Sequence, residues 1–343
     1  MKKTPIIALA TAGILVLALS GCGTTDVAAQ DTAAPESVAS EDCAADETTT
    51  STDPVTLTDD FGRTVELEKP AERVAVLEWQ QIEDTLTLCV TPVAVADAEG
   101  YTTWDTAEAL PEGVVDVGTR QEPNLDALFA TNPDLVIVEA TGADDEIISQ
   151  LEAYDVPVIA TIGADAADPI AKMLATFDLI AEATGREERA DVVKDEFDAY
   201  LADAKGALAD ADLPTTDFVF FDGWIDGGNV ALRPFGQGSL IGELGEELGL
   251  TNAWTGEVDA AYGLGQTDIE GMLAVGDATL LHTGTVGDDS DEFLAALDGN
   301  SIWKTVPAVA EERIYSFPAG IWTFGGPRSA QQIIDAYVAA LSK

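Results

Sequence analysis

Arg73-Val-Ala-Val-Leu77, Ile82-Glu-Asp-Thr-Leu-Thr-Leu88 and Pro92-Val-Ala-Val-Ala96 follow one another along the chain. The first and third runs are short, rich in Val and nearly unbroken in apolarity, the pattern of strands buried on both faces of a helix-covered sheet. The run between them reads as a helix. Outward from this unit the alternation continues, with strands at residues 114–117, 135–138 and 156–160 and helices at 125–130 and 146–154. Alternating strand and helix implies an α/β lobe with a largely parallel sheet. Ahead of it, residues 55–58 and 64–67, separated by Asp59-Asp60-Phe61-Gly62, read as a β-hairpin.

A second series follows. Residues 218–221, 230–232, 279–282 and 313–317 read as strands, with helices at 239–248, 268–274 and 291–297 and a final helix at 328–341. Between the two series, Asp168 and Pro169 suit a helix N-cap and first position, and Gly185 suits its stop. From Glu187 to about Asp210 a second helix runs without Pro and without Gly before Gly206. Its first twenty residues would reach ~30 Å at 1.5 Å per residue, enough to lie across both lobes. The expected architecture is therefore an α/β lobe over residues 55–185, a single long joining helix over 186–210 and a second α/β lobe over 211–343, both with mostly parallel sheets and with a ligand cleft between them.

The N-terminus speaks to the compartment. Lys2 and Lys3 precede an uncharged apolar run over residues 5–19, shorter than the ~20 apolar residues that span a bilayer, so residues 1–21 read as a signal peptide. The run ends in Leu19-Ser20-Gly21-Cys22, which resembles the bacterial lipobox, in which the Cys becomes the lipid-bearing first mature residue. A diacylglycerol on Cys22 would contribute ~0.8 kcal/mol per buried methylene and anchor the chain stably. Localisation outside the cytoplasmic membrane, tethered to its outer face, is expected. Between residues 23 and 62 lie ten acidic residues and neither Lys nor Arg. Residues 22–54, with almost no large apolar side chain, read as a disordered acidic tether.

With 63 acidic against 16 basic residues and a net charge of −47, nothing could neutralise a run of phosphates, which excludes nucleic acid as a partner. The same field disfavours a highly anionic small ligand unless local Arg residues offset it. Of the three cysteines, Cys43 and Cys89 remain once Cys22 is lipidated. A disulfide can persist in an oxidising compartment; a bridge is expected, with two free thiols as the alternative. The one histidine, His282, ends an apolar strand and reads as a packed residue. Zinc or manganese receptors need several converging His or carboxylate ligands, so no metal site is expected. Gly236-x-Gly238-x-x-x-Gly242 lacks the spacing and acidic residue of a dinucleotide loop, and Ser239 reads as a helix N-cap. No Ser–His–Asp set or Cys–His pair is visible, which argues against an enzyme.

Several segments together carry a resemblance: Arg73 to Glu78 with Ile82-Glu-Asp84; Pro92-Val-Ala-Val-Ala-Asp97 with Tyr101 and Trp104; Val117-Gly-Thr-Arg-Gln-Glu-Pro-Asn-Leu-Asp126; Asn132-Pro-Asp-Leu-Val-Ile137; Gly238-Ser-Leu240; Leu248-Gly-Leu-Thr-Asn-Ala-Trp254; and Trp322-Thr-Phe-Gly-Gly-Pro-Arg-Ser329. In this order they resemble the class III substrate-binding proteins of siderophore and vitamin B12 importers, and most closely the ferric-hydroxamate and related iron–siderophore binders. The resemblance implies a monomer that binds an iron chelate whole and hands it to the permease and ATPase subunits of an ABC importer. Haem or a corrinoid on the same fold is the alternative. Iron would be held by the siderophore, so no cofactor is implied.

In such binders the Arg of the Gly-x-Arg-x-Glu-Pro-Asn-Leu motif contacts the chelating oxygens, which marks Arg120; on spacing alone it reads as a surface residue paired with Glu122. A planar guanidinium meets two oxygens at once, and flat aromatics bury the linkers of a chelate. The resemblance places Trp104, Tyr262 and Trp322 in the cleft, with Tyr101 and Arg233 as further candidates. A family Tyr after the strand at 135–138 has no clear counterpart in Glu139-Ala-Thr-Gly142. The carboxylates that dock on permease Arg residues match Asp126 and Glu270, each at the opening of a helix. Members often carry Gly where Cys89 stands.

Overall fold

The structure, a computed structural model, describes residues 41–284 and 288–342. Cys22, the signal peptide and residues 22–40 of the tether lie outside the described residues.

The described residues begin with a short helix α1 (Glu41–Ala44), followed by the hairpin β1 (Val55–Thr58) and β2 (Thr64–Leu67), whose strands alternate buried and exposed residues. Five strands then make the first sheet: β3 (Val74–Val76), β4 (Ala94–Val95), β5 (Val115–Asp116), β6 (Leu135–Glu139) and β7 (Val158–Thr161). Their order is β5-β4-β3-β6-β7 and every pairing is parallel. The crossovers are α2 (Trp79–Thr87), α3 (Ala98–Trp104), α4 (Leu125–Ala130) and α5 (Glu146–Glu152). Leu135, Val136 and Ile137 are fully buried, with Leu135 and Ile137 packing on one face of the sheet and Val136 on the other. That is why this strand reads as an unbroken apolar run rather than an alternating one.

Next come α6 (Pro169–Thr184) and α7 (Glu187–Ala209). The Asp168 side chain accepts from the Ala171 N–H, Pro169 occupies the first turn, and Gly185 closes α6 at φ 69°, the left-handed geometry that favours Gly. The join between lobes differs from the expected single helix. On α6, Met173 packs in the second core while Phe177 and Ile180 pack in the first. On α7, Ala190 and Val193 pack in the first core and Phe197, Ala204 and Leu208 in the second. Both helices are struts, because the apolar residues of each are divided between two cores.

The second sheet holds β8 (Asp217–Asp226), β9 (Asn229–Phe235), β10 (Thr251–Asn252), β11 (Thr279–Gly284) and β12 (Ile314–Ala319) in the order β10-β8-β11-β12. These pairings are parallel, but β9 pairs β8 antiparallel. The turn between β8 and β9 is Gly227-Gly228, both at positive φ, which suits a two-residue hairpin loop. Helices α8 (Leu240–Glu247), α9 (Asp288–Gly299), α10 (Pro307–Ala310) and α11 (Pro327–Leu341) complete the lobe. Ser239 caps α8 by accepting from the Gly242 N–H at 3.2 Å. The helix expected over 268–274 is instead a 3₁₀ turn over Gly271–Val275. His282 is buried, and its ring lies 5.8 Å from that of Phe221.

Residues 41–54, expected as part of the disordered tether, are instead held by specific contacts. Cys43 is bridged to Cys89. Ser51 N–H donates to the Gly185 carbonyl at 2.8 Å, and Arg186 donates to Thr50 at 2.9 Å, to Thr48 at 3.1 Å and to Asp46. Composition registers only apolar burial, whereas this segment is held by polar contacts and a covalent bond. Cys89 sits at φ 63°, a left-handed position where Gly carries no penalty. Among the described residues no helix is long and apolar enough to cross a membrane.

Candidate functional site

The carboxyl ends of the parallel strands of both sheets point into one cleft. In the first lobe, Glu78 follows β3, Asp97 follows β4, Arg120 follows β5, Glu139 ends β6 and Gly163 follows β7. Strand order reverses between β3 and β6, so Glu78 and Glu139 stand at the topological switch point, where open α/β sheets bind ligands. In the second lobe Asp222, Arg233 and Thr283 reach the same space from β8, β9 and β11, and Ile321 to Phe324 from the loop after β12.

Two adjoining compartments result. One, of about 240 Å³, is lined by residues that include Glu78, Arg120, Glu139, Tyr262 and Phe324. The other, of about 270 Å³, is lined by residues that include Trp79, Trp104, Asp222 and Thr283. Arg120, Arg233, Trp322 and Phe324 line both. A larger cavity of about 590 Å³ lies behind the first lobe, between residues 46–52, 69–72, Cys89 and Arg186. It has no aromatic lining and its Arg186 is occupied by residues 46–50, so the interlobe cleft is the candidate site.

Arg120 is held from three sides. Its guanidinium carbon lies 3.8 Å from the Trp79 ring centre and 5.8 Å from that of Trp322, in cation–π range. Nη1 donates to Glu78 Oε1 at 2.6 Å, and Nε lies 3.9 Å from Asp97 Oδ2. Its partner is thus Glu78, not Glu122. Glu78 is itself placed by helix geometry, since it caps α2 by accepting from the Trp79 N–H at 2.8 Å. The aromatic wall continues with Trp79 edge-on to Trp322 at 4.7 Å, Trp322 to Phe324 at 5.2 Å and Phe324 to Tyr262 at 5.4 Å. The indole N–H groups of Trp79 and Trp322 are buried and have no acceptor among the described residues.

Tyr262 rides on a turn organised by Asp259, which accepts from the N–H groups of Ala261, Tyr262 and Leu264 at 2.8–2.9 Å. Burial opposes the Asp259 charge, but these three donors hold its carboxyl below the usual range. The Tyr262 hydroxyl crosses the cleft and donates to Glu139 Oε1 at 3.0 Å. Gly163 lets this pair close over its backbone: a Cβ there would lie 2.3 Å from the Tyr262 oxygen and 2.4 Å from Glu139 Oε2, so one of the two side chains would have to move. Burial, then the charge of Glu78, push Glu139 up to about 7 against the pull of Tyr262 and Arg120. Burial and the Glu139 carboxylate also raise Tyr262. On the far wall Asp222 and Arg233 are directly opposed across β8 and β9, and Arg233 Nε donates to Asp222 Oδ1 at 2.9 Å. Burial raises the Asp222 carboxyl, with Arg233 opposing.

The cleft brings together Arg120, Tyr262, Trp322, Arg233 and Trp104, the last presented from the end of helix α3. Tyr101 is not part of it: the side chain is fully buried and its hydroxyl donates to the Glu108 carbonyl at 2.7 Å. On a helix whose other face is solvated, the large ring filled the core. Asp126 is exposed in the first turn of α4, and Glu270 is exposed just before the 3₁₀ turn rather than in a helix. Sequence reasoning did not assign Glu78, Trp79, Glu139, Asp222 or Phe324. The signal for Glu139 was present, since it stands where a family Tyr was expected. Among the described residues no group of His, Cys, Asp or Glu could hold a metal ion.

Residues 74–320 match the family described as periplasmic binding protein. The iron(3+)-hydroxamate-binding protein FhuD of Escherichia coli is 26% identical over 263 residues, covering 76% of this chain and 84% of FhuD. The Fe(3+)-citrate-binding protein YfmC of Bacillus subtilis is 28% identical, covering 80% and 81%. Among solved structures, the Fe3+–Desferal-bound siderophore-binding protein FhuD of Vibrio cholerae superposes with a TM-score of 0.66 at 22% identity, over 79% of this chain and 97% of that one. The two-lobed fold is the same, and the chain belongs to the periplasmic binding protein family.

Proposed function

We propose that the protein binds a ferric siderophore of the hydroxamate type in the interlobe cleft and delivers it to the permease of an ATP-driven importer. A ferric siderophore fills the iron's coordination sphere with its own oxygens, so its receptor needs hydrogen-bond donors and flat apolar walls rather than metal ligands. The observation that carries this reading is Arg120, held against Trp79 with Trp322 nearby, at the carboxyl edge of the first sheet. A guanidinium so stacked presents its remaining N–H groups to oxygens that carry partial negative charge. The Trp79 and Trp322 rings, 4.7 Å apart, supply the flat apolar wall beside it. The relatives named for hydroxamate and citrate complexes of iron agree with this chemistry.

Delivery would run from the outer face of the cytoplasmic membrane, with the monomer anchored by lipid on Cys22. Asp126 and Glu270, exposed on separate lobes, would dock on permease Arg residues. A tryptophan fluorescence titration against ferric hydroxamates, catecholates, citrate, haem and cobalamin tests the reading. Ferric hydroxamates are expected to quench saturably and their iron-free forms to bind more weakly. Tight binding of a tri-anionic ferric catecholate with no hydroxamate response would overturn it.

A further inference from the structure

The balance of charge in the cleft bears on which chelate it accepts. Glu78, Glu139 and Asp222 line it against Arg120 and Arg233. Each guanidinium already faces a carboxylate, Arg120 with Glu78 at 2.6 Å and Arg233 with Asp222 at 2.9 Å. Among the described residues Glu139 has no cation of its own; its hydrogen-bond donor is the neutral Tyr262 hydroxyl. The groups facing Glu139 are Glu78 at the start of α2, Arg120 after β5, Tyr262 and the Gly163 backbone, with Lys172 on α6 further off. Lys172 is engaged by Asp60 and by Thr176 at 3.0 Å. The lining therefore carries one more carboxylate than guanidiniums, with Asp97 just behind Arg120 adding to the excess. Charges held in a partly buried cleft are screened by salt much less than surface charges.

Resting on the siderophore reading above, we propose that Glu139 selects a ferric siderophore that carries a protonated amine, by pairing with that amine while Arg120 and the aromatic wall hold the chelate. Tyr262, Phe324 and Trp322 line the same compartment as Glu139, and aromatic faces favour an ammonium group. An anionic appendage placed there would meet Glu139 and Glu78 with no free cation among the described lining residues to offset them.

Three ferric derivatives of desferrioxamine B with an identical trihydroxamate core form the probe set. The parent bears an ammonium group, its N-acetyl derivative is neutral and its N-succinyl derivative is anionic. At pH 8 the parent is expected to bind about tenfold more tightly than the acetylated form, the size of one charge-assisted contact, with the succinylated form weakest. The parent-to-acetyl ratio should shrink at pH 6, where Glu139 of the free protein is protonated, since it is pushed up to about 7. In Glu139→Gln the ratio should fall to within about twofold at both pH values, and Glu139→Asp should keep part of it. Equal affinities for parent and acetylated forms at pH 8 in the unmutated protein, or a ratio that Glu139→Gln leaves intact, would overturn the inference. Should Glu139→Gln fail to fold, the pH dependence of the ratio in the unmutated protein decides. Binding of none of the three would overturn the hydroxamate reading itself, and this inference with it.

Discussion

Glu83, buried in α2 of the first lobe, holds Ser329 at the start of α11 in the second: its carboxylate accepts the Ser329 N–H at 2.9 Å and the Ser329 hydroxyl at 2.6 Å. The same carboxylate accepts the N–H groups of Gly326 at 2.9 Å and Arg328 at 3.0 Å. A helix N-terminus leaves N–H groups unpaired and carries partial positive charge, so a carboxylate from one lobe satisfies the first turn of a helix in the other. Closely packed buried acids surround it. Burial, then the Glu83 charge, hold both Asp84 and Asp105 well above the usual carboxylate range.

Replacing Glu83 with Ala would strand at least three buried donors. A loss of about 3–5 kcal/mol is expected, the usual cost of removing one partner of a buried charged contact. Glu83→Gln, which keeps acceptor capacity without the charge, should lose less. Urea unfolding midpoints at constant m measure both; a neutral Glu83→Ala would show that the contact does not join the lobes.

Arg120→Ala is expected to weaken ferric hydroxamate binding by about 1.5–3 kcal/mol, the range for a hydrogen bond to a charged group. Arg120→Lys should recover little, since an ammonium cannot reproduce the flat stack on Trp79. Fluorescence titration reads both, and an unchanged affinity in Arg120→Ala would remove Arg120 from the ligand contact.

Reduction of the Cys43–Cys89 bridge should cost about 2–4 kcal/mol if it acts by restricting the unfolded chain over the 46 residues that separate the two cysteines. The loss appears as a lower melting temperature in reductant. Ligand affinity should not change, because the bridge lies behind the first lobe, away from the cleft. An unaltered melting temperature would contradict the pinning of residues 41–54.

Stability should rise as pH falls from about 8 towards 5. Glu139 is pushed from 4.5 up to about 7 and Glu108 up to about 6, both chiefly by burial. A carboxyl raised on folding binds more protons in the native than in the unfolded state. Its contribution is therefore complete below the unfolded value and is lost as pH rises through the folded one. For Glu139 this is of order 3 kcal/mol between the two limits. The net charge of −47 works in the same direction, since acidification relieves self-repulsion. Thermal melts across this range check the sign, and Glu139→Gln should flatten the upper part of the curve.

Replacing Asp126 and Glu270 together with Ala should leave siderophore affinity intact while abolishing uptake and permease-dependent ATPase stimulation. Exposed ion pairs are individually weak, but two on separate lobes would set orientation as well as affinity. Normal uptake by the double variant, or loss of siderophore binding in it, would exclude this docking role.

Much of the fold was legible in the sequence. Short, β-branched, unbroken apolar runs such as Leu135-Val-Ile-Val138 read as strands covered on both faces, and Asp168-Pro169 with Gly185 marks a helix by local backbone chemistry alone. The cap by Ser239 and the hairpin at residues 55–67 are equally local. Arg120 was legible through its motif. Contacts made between distant segments were not. That Glu78 rather than Glu122 pairs with Arg120, that Tyr262 reaches Glu139, and that Tyr101 fills the core instead of the cleft all depend on which faces meet after folding. The ordering of residues 41–54 likewise required Arg186, more than a hundred residues away in sequence, to meet Asp46. Periodicity and capping act within a few residues, so the sequence by itself determined the elements and their alternation. Charge pairing across the cleft is set by three-dimensional juxtaposition, so only the tertiary structure decided which carboxylate in the cleft was left without a cation.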